Sequence, residues 1–246
     1  MFYVRCLYCM VIASVLYLNA EDKFVIITVL YNEDNAQRIQ EYKECLEKNL
    51  GHDAIEKIHI IYDTSKDNDS RPLLDYLLEQ KNVSITYYPH GRPTFRYCFD
   101  LANQCYAGKR VMLMNADIFF DDTLNKLLSV NITGCLLALT RWDLHRDRDP
   151  SLLYIRDKPN HFSQDVWIFQ TPIRHINCRD LKIGTLHCEG QLARAAKKVG
   201  LSLYNPCLSI TCYHLHFSGV RHWEYVRGPA RMVPVPWCPL EDVRHQ

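Results

Sequence analysis

The segment RVMLMNADIFFDD, Arg110 to Asp122, passes from oily to acidic within a few residues. A hard divalent cation bound to a diphosphate takes one or two protein carboxylates, and phosphate oxygens fill the remaining positions. Asn115 and Asp117 stand two apart, so on a continuous strand both would project to one face. An acidic turn closing a buried strand would read the same way. Asp121 and Asp122, followed by Thr123, fit the turn and N-cap of a following helix instead. Late in the chain, YHLHFSGVRHW again sets two candidate ligands two apart, His214 and His216. Imidazole binds manganese or zinc well and magnesium poorly, so a histidine ligand here shifts the expected ion toward Mn2+ over Mg2+. A purely structural histidine pair is the alternative.

Other polar side chains sit where chemistry is possible. Glu189 opens the helical stretch EGQLARAAKKVG. A carboxylate there can take a proton from a hydroxyl within hydrogen-bond reach, or merely complement the helix dipole. Asp165, in Ser-Gln-Asp at a strand entrance, is a second acidic candidate. Arg92 and Arg96 are four apart on the approach to a helix, and guanidinium groups grip diphosphates in bidentate fashion. An ordinary surface arginine pair fits the same spacing.

The elements that must position these residues alternate. KFVIITVLYNED, IEKIHIIYDTS, VSITYYPHG and RVMLMNADIFFDD read as strands, separated by AQRIQEYKECLEKNLG, PLLDYLLEQ and TFRYCFDLANQCYAG as helices. Such crossovers are right-handed and yield a mostly parallel sheet with helices on both faces. Ligands bind such sheets beyond the carboxyl ends of the strands, where Asn32, Glu33, Asp63 and Asp117 all fall. The second half is less regular. GCLLALTRWD and QDVWIFQTP read as strands, and LSLYNPCLSITCYHLHFS as a closing strand pair.

Composition sets the frame. The chain is 48% hydrophobic and 23% charged with a formal net charge of +1, so no global field draws it to nucleic acid or a lipid surface. Residues 1–20 hold one Arg5 before an uncharged run from Cys6 to Leu18, too short to span a bilayer and suited to a signal peptide. A short uncleaved anchor, the one expected membrane contact, and a buried first strand are the alternatives. Residues 21–246 then form one domain on a secretory route: a Golgi-type lumen, the periplasm or the exterior. Of the 11 cysteines, Cys6 and Cys9 lie in the presumed leader. In an oxidising compartment some of Cys178, Cys188, Cys207, Cys212 and Cys238 can bridge, and buried free thiols are the equal alternative. Sequons at Asn68, Asn82 and Asn131 are near chance number.

VIITVLYNE, IHIIYD, RPTFRYCFDLAN and VMLMNADIFF resemble, in order and spacing, the GT-A glycosyltransferases, especially family-2-like members; the likeness spans about residues 24 to 218. The resemblance implies a nucleotide-diphosphate sugar donor and Mn2+ or Mg2+ at Asp117, the last residue of the D-x-D-type triplet whose first position is here Asn115. It implies a late histidine, His216 before His214, completing the metal site, and Tyr31, Asn32, Glu33 and Asp63 lining the nucleotide pocket. Arg221 would close over the diphosphate. Glu189 would be the base of an inverting transfer to a saccharide, lipid or protein hydroxyl, with Asp165 contacting donor or acceptor. Sugar-1-phosphate nucleotidyl transfer is disfavoured, because LYNEDNAQR lacks the glycine-rich loop it needs. A secreted carbohydrate- or metal-binding protein of this fold without turnover is the competing reading.

Overall fold

A computed structural model describes residues 23–67, 71–221 and 231–243. The expected leader and the Asn68 sequon lie outside these residues. The strands, in chain order, are β1 (Phe24–Tyr31), β2 (Ile55–Asp63), β3 (Val83–Tyr88), β4 (Arg110–Met114), β5 (Ile118–Phe120), β6 (Cys135–Leu139), β7 (Trp142–Asp143), β8 (Ser151–Leu152), β9 (Tyr154–Ile155), β10 (Lys158–Pro159), β11 (Val166–Gln170), β12 (Ser202–Tyr204) and β13 (Cys212–His214). The helices are α1 (Ala36–Leu50), α2 (Pro72–Leu78), α3 (Phe95–Cys105) and α4 (Cys188–Lys198).

Seven strands form the main sheet in the order β12-β6-β11-β4-β1-β2-β3. Only β11 runs against its neighbours, so the sheet is mostly parallel. The unbroken β-branched sequence of β1 follows from coverage on both faces. Phe24, Ile26 and Leu30 pack with Tyr42 and Leu46 of α1 and Leu73, Leu74 and Leu77 of α2. Val25 and Ile27 face the other way, against Phe95 and Phe99 of α3 and Leu192 and Ala196 of α4. Truncating one such buried isoleucine to alanine costs about 2–5 kcal/mol. Local chemistry sets the helix starts. Asn35 caps α1 by accepting from the Arg38 amide, Thr94 caps α3 by accepting from Tyr97, and Pro72 stands in the first turn of α2.

Two expectations change. RVMLMNADIFFDD is not one strand: β4 stops at Met114, where its pairing with Thr28 ends. Asn115 then turns its backbone N–H to the Asp165 carbonyl at 3.1 Å, residues 116 and 117 form a turn, and the chain resumes as β5 in another sheet. Asn115 and Asp117 therefore do not share a strand face. The closing strands do not pair with each other either. β12 extends the main sheet beside β6, whereas β13 joins the four-stranded sheet β5-β13-β7-β8. Pro206 and the turn after it redirect the chain between them. The crossing of β4 into β5 sets Asp117 on the seam between the two sheets. Asp121 caps the following 3-10 helix as expected, accepting from Thr123.

Candidate functional site

Asp117 is buried, and its two oxygens live differently. Oδ2 accepts from Arg38 Nη2 at 2.5 Å and from His214 Nε2 at 3.2 Å, while Oδ1 has no hydrogen-bond partner among the described residues. His214 Nδ1 lies 2.8 Å from Asp143 Oδ1, which also accepts from Arg141 Nε. Arg141 Nη1 reaches Asp165 Oδ1 at 3.0 Å, and Asn115 Nδ2 donates to the same oxygen at 3.0 Å. Asp165 Oδ2 is again buried without a partner. One continuous chain of side chains thus runs Arg38–Asp117–His214–Asp143–Arg141–Asp165–Asn115, and both buried aspartates leave one oxygen open.

Burial alone would raise the Asp117 carboxyl, but the His214 charge and bonds, with His216 and Arg38, hold it well below the carboxylate range. Burial likewise opposes the ionised Asp143, and its bonds from His214 and Arg141 outweigh it, giving about 2. His214, desolvated yet bonded by Asp117 and Asp143, is pushed up to about 9.

The donor set suits a divalent ion. One ligand atom each from Asp117, His214 and His216 lies within 4.8 Å of the others. The His214 and His216 rings stack at 5.3 Å, and neither nitrogen of the buried His216 side chain has a hydrogen-bond partner among the described residues. Buried polar atoms left this way are costly unless a ligand meets them. The Asp143 bond to Nδ1 fixes which His214 nitrogen faces the site, the usual support of a metal-ligating histidine. Both histidines named from the sequence converge on Asp117.

Arg38, Glu41, Asp143 and Arg141 were not recognised in the sequence. The signal for the first two was present, because Arg38, Glu41, Tyr42 and Cys45 occupy the buried face of α1, where two charges are out of place. Glu41 bonds Arg38 at 2.9 Å and also accepts from the Phe217 and Ser218 amides at 2.7 and 2.6 Å. The loop that carries His216 is thereby tied to α1.

Glu189 lies in the first turn of α4, partly buried. Burial, with the nearby Asp165 charge adding to it, raises its carboxyl to about 7 despite the opposing backbone N–H. A carboxyl poised there can exchange a proton at neutral pH. At the ends of β1 and β2, Tyr31 and Asp63 are register partners. The Tyr31 hydroxyl approaches Tyr42 and Glu33, at 3.4 and 3.5 Å, and Glu33 Oε1 accepts from the Asn35 amide. Asn32 is buried with both side-chain polar atoms unpartnered among the described residues. Asp63 spends Oδ1 on capping the Ser65 amide.

The two arginines part company. Arg92 lies in the loop before α3 and its guanidinium approaches the Ile183 and Gly184 carbonyls, whereas Arg96 bonds Asp100 at 2.6 Å and also His175. They do not share a helix face, because α3 begins only at Phe95. Arg221 is exposed at the edge of the described residues. All nine cysteines of the described residues are thiols, seven of them buried.

No protein-family model matches the chain, and no curated protein matches it in sequence. Solved structures do match. The mannosyltransferase PcManGT from Pyrobaculum calidifontis, in complex with GDP-Man and Mn2+, is 14% identical, with a TM-score of 0.52 over 80% of this chain and 58% of its own. GalNAc-T7 with UDP, GalNAc and Mn2+ is 11% identical, with a TM-score of 0.54 over 85% of this chain and 45% of its own. This chain therefore spans about half the length of those two proteins. At such identity the likeness carries the architecture: the chain has the GT-A fold.

Proposed function

We propose that the protein is a metal-dependent glycosyltransferase that moves a sugar from a nucleoside-diphosphate donor to an acceptor hydroxyl with inversion. One observation carries the reading: Asp117 Oδ1 and both His216 nitrogens are buried without a hydrogen-bond partner among the described residues and are grouped with His214 at the strand ends of a GT-A sheet. Asp117, His214 and His216 would hold Mn2+ in preference to Mg2+, since two of the three donors are imidazoles. When bound, the ion neutralises charge on the departing diphosphate as a Lewis acid. The Mn2+ and nucleotide ligands of the two structural neighbours support this choice.

The remaining roles belong to side chains. Asn32, with its open donor and acceptor, reads the nucleotide together with Tyr31, Glu33 and Asp63. Arg92 and Arg221 are the candidates for gripping the diphosphate; Arg96, committed to Asp100 and His175, is a weaker one. Glu189 accepts the acceptor proton, and Asp165, held by Arg141 and Asn115, offers its open oxygen to a sugar hydroxyl. Inversion is the outcome that a single carboxyl near neutrality favours, with Asp165 held by Arg141 and Asn115 for hydrogen bonding and not for attack. The acceptor is a saccharide, lipid or protein hydroxyl. The N-terminal 20 residues direct the chain into a secretory route, where a Golgi-type lumen supplies donors.

The test is nucleoside-diphosphate release from a panel of UDP- and GDP-sugars with Mn2+ and a mixed acceptor pool. Turnover abolished by chelation and by Glu189→Gln supports the proposal. Donor binding with no turnover from any sugar would leave instead a binding protein of this fold.

A further inference from the structure

A cavity of about 490 Å³ lies between the segment around Cys178, the outer face of α4 and Arg231. Four cationic side chains line it, Arg179, Arg194, Lys198 and Arg231, against a single carboxylate, Asp180. Among the described residues none of the four forms an ion pair. Elsewhere Arg38, Lys48, Arg71, Arg96, Lys109 and Arg141 are each matched to an acid. In a chain whose formal net charge is only +1, four unmatched cations around one cavity are a local concentration of positive potential.

The walls are fixed by backbone. Leu181 N bonds the Cys178 carbonyl, and Val233, two residues from Arg231, donates to the Gly190 carbonyl on α4. Gln191, Arg194, Ala195 and Lys198 recur at helical spacing on one face of α4, and Glu189 falls on the opposite side of the same helix. The cavity is therefore separate from the Asp117 centre. Leu181, Ala195 and Val199 also line it and pack partly buried against the core, an apolar floor, while Arg179, Lys198 and Arg231 are exposed. The volume is in the range of small-molecule sites, and guanidinium forks match tetrahedral oxyanions in bidentate fashion.

We infer that this cavity is a second binding site, one that takes a ring-bearing phosphate or sulfate ester such as an anionic saccharide. The ring covers the apolar floor, and the ester oxygens meet Arg194, Lys198 and the two flanking arginines. The inference does not depend on the role assigned to Asp117.

Matched probes test it on the full chain with metal chelated: glucose 6-phosphate, glucose 6-sulfate and glucose, each titrated calorimetrically. At least one ester is expected to bind while glucose does not, and the stronger ester identifies the source. Arg194→Ala/Lys198→Ala should weaken that ester by about tenfold or more, the loss of charge-assisted hydrogen bonds, and raised salt should weaken it further. Asp117→Asn should leave it unchanged. Should the double variant fail to fold, Arg231→Gln, outside the helix, should show the same direction of loss. No binding of either ester, equal binding of glucose, indifference to these substitutions, or loss in Asp117→Asn would each overturn the inference.

Discussion

At the scale of the residue, Asp117 serves two masters. One oxygen neutralises the buried Arg38, and the other faces the space shared with His216. Asp117→Ala should therefore cost stability as well as function. Stripping a buried charge of its partner costs about 3–5 kcal/mol, and because Arg38 keeps Glu41 the loss should fall below that range, readable as a fall in the urea midpoint. Asp143→Ala should spare the fold and lower Mn2+ affinity by about 10–100-fold, measured calorimetrically, because His214 loses the carboxylate that orients it. Glu189 makes a pH prediction. Its folded value of about 7 lies above the ordinary 4.5, so folding favours the protonated form. Its contribution to stability is full at low pH and is lost as pH rises from about 4.5 through 7, by at most about 3 kcal/mol. Stability curves of wild type and Glu189→Gln should differ in that window. Activity should run the other way, rising through about pH 7 as the base ionises. The sequence displayed Asp117, Glu189 and both histidines, because acids and imidazoles at strand and helix ends are conspicuous. It concealed Arg38 and Asp143, whose importance lies in partners 79 and 71 positions away.

At the scale of the element, α1 does more than cover the sheet. Asn49 bonds both the Ile118 carbonyl and the Phe120 amide, tying β5 to the helix side chain by side chain. Glu41 likewise gathers the 217–218 backbone. Glu41→Ala should leave β1 to β4 protected and speed amide hydrogen exchange at Phe217 and Ser218, with Mn2+ affinity falling alongside; unchanged exchange there would show that Glu41 does not hold the loop. The first four strands and three helices were legible because each is a run with one dominant period and a clear cap or glycine. The split of β4 from β5 was not, since ADIFF continues the apolar pattern. What meets the end of the strand is Asp165, brought from 50 residues further on, which takes the Asn115 amide on its carbonyl and the Asn115 side chain on its carboxylate. β12 and β13 read as a strand pair for the same reason: apolar alternation specifies a strand and does not name its partner.

At the scale of the whole molecule, the parallel sheet supplies a row of strand ends, and the small sheet of β5, β13, β7 and β8 supplies the opposing donors. Asp117 belongs to the turn that joins them, so the site exists only when both sheets are formed. The measurement that bears most directly on this account is calorimetric titration of UDP and GDP into the protein, with and without Mn2+, repeated for Asp117→Asn. The account expects one nucleotide to bind tightly only when Mn2+ is present, and that gain to vanish in the variant. Binding of equal strength without the ion, or undiminished in Asp117→Asn, would contradict it.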